Sequence, residues 1–479
     1  VLALIVIIAD LITSKRGFLQ AITLIGLVVP TILSVLLWNE VRVQGGSTEQ
    51  IVGIFGSLVV DKFSLFFKFL FIAILALVVL ASRDYSLRFP RAQGEYYALM
   101  LVSACGMMLL ASTTELISIY IALELTTIPL IALSALLRDQ RSSEAGIKFL
   151  LLGALSSAFL LYGMVFIYGL TGTTQIYEIG EVVRVLAQSD VTTTNYALFL
   201  GLVLIIAGLA FKISAVPFHM WVPDVYEGAP TPITAYLSVA SKAAGFAILI
   251  RILSIGFGAL AIEWGLIIAV ISAISMTVGN LVAIAQSNIK RLLAYSTIAH
   301  AGYLLIGIAA IAHDGSHTML GISGILFYLV AYAATNLAAF FAIMIVSAKT
   351  GSEKIEEFAG IGRTSPWIAF ALTLSMVSLI GLPPTVGFIA KLYIFNAAIS
   401  NGLLWLVLIG VVNSVLSAYY YLRVVRVMYF VEAPSDNILH VPKTSRFALA
   451  IVTIAIIMLG LLPTTVLNVA ETAGSIVLP

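Results

Sequence analysis

The sequence predicts an all-α integral membrane protein of about fourteen transmembrane helices, with an inverted five-helix repeat and two broken helices. Three observations carry this expectation. Of 479 residues, 61% are hydrophobic and only 10% charged, against about 25% charged in soluble domains. Mean hydropathy is +1.10, and apolar runs of bilayer-spanning length follow one another along the chain. The seventh and twelfth runs are interrupted by prolines and carry a lysine beside the interruption.

In order, the spans fall near 1–12, 18–38, 62–82, 94–112, 114–137, 142–169 and 196–221, then 231–254, 263–287, 289–312, 318–347, 366–398, 402–430 and 446–469. The first is short for a crossing and has no signal-peptide pattern, so it reads as a helix whose beginning is missing or processed. Only 39–61 and 170–195 are long connections, and neither has room for a soluble domain. Odd-numbered connections hold sixteen basic residues, among them Lys15, Arg91, Lys290 and Arg291. Even-numbered ones hold four, Arg42, Lys62, Arg184 and Arg251. This bias places the odd connections on the cytoplasmic side, or its topological equivalent, and both termini on the other.

The breaks fix the internal organisation. Pro217, Pro223, Pro230 and Pro232 interrupt the chain after Lys212, and Pro383-Pro384 precedes Lys391. Each proline removes a backbone donor and disfavours helix at the residue before it. A broken helix at membrane depth survives only where protein or water satisfies its freed groups. The breaks lie five helices apart, and GALSSAFLLYG at 153–163 matches AYAATNLAAFF at 331–341 in the sixth and eleventh helices. An odd-numbered unit repeated once must enter the membrane inverted, and paired broken helices point to a transport path. The expected units are 1–92 (three helices), 93–257 (first repeat), 258–432 (inverted second repeat) and 433–479 (last helix).

A net charge of +2 argues against nucleic acid or a strongly acidic partner. The single Cys105 excludes an internal disulfide, and no Cys/His cluster supports zinc, an iron–sulfur centre or covalent haem. No cofactor or metal is expected in this chain, and no polar cluster outlines a pocket for a soluble substrate.

Titratable groups inside the spans carry the chemistry. An ammonium in hydrocarbon costs roughly 2.5–3.5 kcal/mol on insertion scales, so Lys212, Lys242, Lys391 and Lys148 need a reason to be there. Glu124 is the one acid clearly within a span. Desolvation drives a lysine toward its neutral form and a nearby carboxylate opposes it, which suits these five groups to a proton relay. The structural alternative is that Glu124 pairs with one lysine as packing and the others face wet grooves. Glu124 is expected within direct or one-water reach of Lys148 or Lys212, shifting between them. His300 stands mid-helix between polar neighbours and is a weaker candidate, as a bridge between half-paths or as a neutral buried histidine. Lys68 sits near a helix end and snorkels. His219 reads as structural, Asp224 and Glu227 as mouth or turn residues, and His313, His317 and His440 as loop residues.

FKISAVPFHMWVPDVYEGAPTPITAYLSVASKAAG, with IKRLLAYSTIAHAGY and GLPPTVGFIAKLYIF, resembles the antiporter-like membrane subunits of respiratory complex I over nearly the whole chain. Within them it is most similar to the group of subunit N, which includes mitochondrial subunit 2 and the chloroplast counterpart. The resemblance implies fourteen helices, with helices four to eight inverted against nine to thirteen. It matches Glu124, Lys148, Lys212, Lys242 and Lys391 to the family's glutamate and lysines on helices five, six, seven, eight and twelve. Lys391 departs from subunit M, which usually has glutamate there, and no long lateral helix follows as in subunit L. The implied function is proton translocation in a complex I-type oxidoreductase of NADH or another donor and quinone, as a subunit without a redox site of its own. Quinone, flavin and iron–sulfur clusters are then expected in other subunits. Subunit M, the small subunits K and J and lipid are the expected neighbours, in an energy-coupling membrane such as a bacterial cell membrane. The alternative is a subunit of a multisubunit sodium/proton antiporter without redox coupling.

Overall fold

The computed structural model describes all residues except 13–15, 42, 45–46, 49–50, 53–55, 90–91, 189–191, 313–317, 433–441 and 476–479. Lys15, Arg42, Arg91, His313, His317 and His440 therefore lie outside the described residues. Among those described, twelve helices are long and apolar enough to cross a membrane. Three shorter apolar helices, Leu2–Ile12, Pro366–Ile380 and Val386–Ser400, complete the series. The order is the predicted one, and the chain is a multi-pass integral membrane protein. Two short helices, Ile176–Ala187 and Thr464–Gly474, lie in the long connection and after the last span.

Helix starts follow from capping side chains. Asp61 accepts from Ser64 N at 2.7 Å and opens the third helix, Lys62–Ala81, with a reciprocal Ser64 bond. Asp139 does the same for the sixth, Gln140–Thr171, through Ser142 N, and Asn288 for the tenth, Ile289–Ile311, through Lys290 N and Arg291 N. Each cap satisfies donors that the first helical turn leaves open.

The seventh helix, Thr192–Ile213, stops just after Lys212 instead of running to 221, and the chain resumes as the short helix Trp221–Gly228. Ser214 takes a left-handed φ of 67° at the break, a strained conformation for a residue with a side chain. Phe211 O accepts from Ser214 N and from Trp221 Nε1, each at 3.1 Å, so the indole of the following short helix is tied to the end of the seventh. The twelfth helix is likewise two pieces, ending at Ile380 and restarting at Val386. Gly381 makes the turn with φ 89°, and a Cβ there would come 2.9 Å from Lys391 Cδ, so glycine also makes room for that lysine.

The eighth helix, Thr231–Gly256, is wholly enclosed, packed by the third, fourth, seventh and eleventh helices. Two π turns, Leu237–Ser241 and Ile252–Gly256, bound its α-helical segment Lys242–Arg251. The tenth helix and the eleventh, Thr318–Thr350, are nearly as enclosed, which gathers the polar interior around these three. Ninth and tenth helices meet at small residues: a Cβ on Gly279 would lie 2.6 Å from Ala299 N.

Candidate functional site

The predicted interior residues line a series of polar stations. Lys212, Lys242, Lys391 and His300 are each no more than 5% exposed. Lys212 is aimed at the fifth helix, Leu116–Ser134, and donates to Thr127 Oγ1 at 2.7 Å. Thr127 lies one turn beyond Glu124, whose carboxylate accepts from Ser157 of the sixth helix and acts on Lys212 through space. Glu124 makes no ion pair within 4.0 Å among the described residues, so its link to Lys212 runs through the field and the Thr127 turn.

Lys148 departs from expectation. Its ammonium lies 2.7 Å from Asp224 Oδ2 and 2.7 Å from Glu144 Oε1, with 40% of its side chain exposed. Ser157, which holds Glu124, is nine residues further along the same helix, roughly 13 Å at 1.5 Å per residue. Lys148 therefore belongs to the helix mouth and not to the Glu124 level, and a direct swing of Glu124 between Lys148 and Lys212 does not fit.

Asp224 turns the short helix into a junction. Its second oxygen lies 2.7 Å from Arg291 Nη1, which also reaches Glu227 at 3.0 Å. Burial pushes the Asp224 carboxyl up, but the hydrogen bonds from Lys148 and Arg291 outweigh it and hold it below the usual carboxylate range. Next to this cluster, Lys290 is 2% exposed and donates to Glu227 O, Ala229 O and Glu353. Two cavities of ≈ 460 and ≈ 200 Å³ open here and share Arg141, Glu227 and Gly228 in their walls.

Lys242 donates to Thr297 O and lies 5.2 Å from the Tyr332 ring centre. Thr297 Oγ1 is 2.8 Å from Tyr332 OH. One turn further on the tenth helix, His300 Nδ1 meets Tyr328 OH at 2.7 Å and Nε2 meets Tyr421 OH at 3.5 Å. His300 feels the charges of both Lys391 and Lys242. Lys391 completes the series: its ammonium donates to Leu379 O at 3.1 Å, Ile380 O at 2.8 Å and Ser414 Oγ at 3.0 Å. The two carbonyls are orphans of the helix end before the break, the place where a cation is most favourable. Its ammonium also sits 4.4 Å from the Tyr303 ring centre. A cavity of ≈ 10 Å³ between His300, Tyr328, Tyr332 and Lys391 has room for about one water.

Sequence reasoning missed the tyrosines around His300. Tyr328 and Tyr332, at helical i, i+4 spacing, were the available signal. It also counted Arg251 and Lys290 as connection residues, whereas both are buried in helices. Arg251 makes a two-pronged pair with Asp61, at 3.0 and 3.1 Å, and donates to Ala111 O at 3.0 Å. Lys68 is half-buried, within the fields of Asp61 and Arg251.

Known proteins resemble this chain in sequence and in fold. The family profile described as NADH:quinone oxidoreductase/Mrp antiporter, TM, matches residues 113–417, which hold Glu124, Lys148, Lys212, Lys242, His300 and Lys391. NADH-quinone oxidoreductase subunit N of Dehalococcoides mccartyi is 44% identical, covering 99% of this chain and 97% of that protein. Subunit N of Moorella thermoacetica is also 44% identical, over 87% of this chain and 86% of its own. Among solved structures, a chain of respiratory complex I from Thermus thermophilus matches with a TM-score of 0.80 at 31% identity, covering 98% of this chain and 97% of that one. A chain of the Mrp complex from Dietzia matches at 0.82 with 20% identity, over 99% and 95%, a likeness of fold alone. The chain belongs to the NADH-quinone oxidoreductase subunit N family of antiporter-like membrane proteins.

Proposed function

We propose that this chain is a proton-translocating membrane subunit of a complex I-type NADH–quinone oxidoreductase, seated in a bacterial cell membrane and driven by redox chemistry in other subunits. The observation that carries this reading is the set of three buried lysines, Lys212, Lys242 and Lys391, strung through the enclosed centre with His300 between the last two. A buried ammonium is held at a cost that desolvation makes steep, and that cost makes it a responsive proton station. Glu124 acts as the counter-charge of Lys212, and His300 with its tyrosines joins the Lys242 and Lys391 stations. Lys148 belongs to the intake mouth with Asp224. The units 93–257 and 258–432 each supply one half-path, the second inverted. Flavin, iron–sulfur clusters and quinone then belong to partner subunits, with an antiporter-like subunit M and small subunits K and J as neighbours. High identity to subunit N favours this reading over the sodium/proton antiporter, whose likeness is one of fold alone.

The test is translocation by the whole complex in sealed vesicles. Lys212→Met and Lys242→Met should each leave an assembled, quinone-reducing complex that moves fewer protons per electron. Unchanged ratios in both would return these lysines to a structural role.

A further inference from the structure

We infer that the eighth helix carries a second proton inlet, a stripe of hydroxyls running from the ≈ 460 Å³ vestibule on the basic face to Lys242 without passing Lys212. The inference rests on the reading of this chain as a proton translocator. Thr231, the first residue of the eighth helix, stands in the vestibule wall with Glu227, Lys290 and Glu353. Thr234, Ser238 and Lys242 then follow along the helix at successive four-residue spacings on one face. The π turn Leu237–Ser241 widens the helix between them without breaking it. All four are buried, none more than 2% exposed, and the other buried Ser and Arg side chains of the helix, Ser241, Arg251 and Ser254, are not among them.

Their partners point the same way. Thr234 Oγ1 donates to Tyr226 O at 3.1 Å, and the Tyr226 side chain stands beside Thr297 and Tyr332. Thr297 supplies the carbonyl that takes the Lys242 ammonium. From the eleventh helix, Asn336 Nδ2 donates to Ser238 Oγ at 2.6 Å. Asn336 Oδ1, on the same amide, is buried with no hydrogen-bond partner among the described residues. An orphaned buried acceptor costs about 1–3 kcal/mol, and a water against it and Ser238 would relieve that cost and extend the stripe. Neighbours three or four residues apart on a helix lie about 5–6 Å apart, the span of one bridging water. Ser238 Oγ also donates back to Ala235 O at 2.8 Å and Thr234 Oγ1 reaches Pro230 O at 3.3 Å, as packing hydroxyls do. The Asn336 amide facing Ser238 from another helix, with its second polar atom unpartnered among the described residues, is what packing alone would not need. Lys242 is thereby fed from the mouth directly, and Lys212 by its own route past Glu124.

The test uses the whole complex in sealed vesicles, with protons moved per electron as the readout and quinone reduction and subunit content as controls. The combined Thr234→Val, Ser238→Ala, Asn336→Leu variant should fall to the ratio of Lys242→Met. Added to Lys212→Met, it should remove translocation that Lys212→Met alone leaves. If the combined variant fails to assemble, the isosteric Thr234→Val takes its place, with recovery in Thr234→Ser. An unmodified ratio in the stripe variant beside a reduced one in Lys242→Met would overturn the inlet and leave the proposed function standing. Unmodified ratios in both would overturn the proposed function itself. No further loss on the Lys212→Met background would mean the stripe is not a separate inlet.

Discussion

Lys148 and Asp224, 76 residues apart in sequence, meet at 2.7 Å, and the other oxygen of the same carboxylate meets Arg291 at the same distance. One carboxylate on an eight-residue helix thus ties the sixth helix to the tenth, and through them the first expected repeat to the second.

Asp224→Asn removes the shared charge and should weaken this tie. The groups are about a third exposed, so the loss is about 1 kcal/mol or less. Because the folded carboxyl is held below its ordinary value of 3.8, its contribution is complete above that value and is lost as pH falls through the folded one. Thermal unfolding of the purified complex from neutral to acid pH should show a gap between the parent and Asp224→Asn that narrows only below about pH 4. A gap that widens on acidification would contradict this.

Breaking the Asp61–Arg251 pair should be far more damaging. Both side chains are fully enclosed, at 0% and 1% exposed, so Asp61→Ala strands a guanidinium in the interior at about 3–5 kcal/mol. Replacing both partners, as Asp61→Leu with Arg251→Met, should recover much of the loss, since the apolar pair needs no counter-charge. Subunit content of isolated membranes, compared across the three chains, checks the order.

Lys391→Met should cost stability as well as transport. Its ammonium is the donor for two carbonyls at the end of Pro366–Ile380, and each unmade buried bond costs about 1–3 kcal/mol. Lys212 gives one bond to a threonine hydroxyl that is itself bonded to Leu123 O, so Lys212→Met should unfold at a higher temperature than Lys391→Met. The reverse order would show that the break at 381–385 is held by other means.

Glu124→Gln keeps the Ser157 bond within reach of an amide oxygen but removes the charge acting on Lys212. Proton translocation should fall while quinone reduction and assembly stay close to the parent. Lys68→Met, which removes a half-buried lysine near a helix end, should leave translocation near the parent value. Equal pumping by Glu124→Gln and the parent would contradict the assignment of Glu124 as counter-charge.

Much of this was legible in the sequence because the bilayer imposes a length and a polarity that one chain displays without help from its fold. The spans, the breaks at Pro217 and Pro383-Pro384 and the lysines within apolar runs are local signals. Pairings are not local. Whether Lys148 meets Glu124 or Asp224 depends on the height of each along packed helices, and Arg251 reads as a connection residue until Asp61, 190 residues away, is placed against it. The tyrosines around His300 hid among many aromatic residues of ordinary membrane helices. Their role appears only where Tyr328 and Tyr421 converge on one imidazole.

The most direct test of the central claim is the number of protons moved per electron by the intact complex carrying Lys242→Met in sealed vesicles. Lys242 lies in the enclosed eighth helix, 2% exposed, where the proposed route from the mouth would meet the proposed His300 station. The account predicts an assembled complex with near-parent quinone reduction and a reduced proton-to-electron ratio. A ratio equal to that of the parent, in a complex containing the full amount of this subunit, would contradict it.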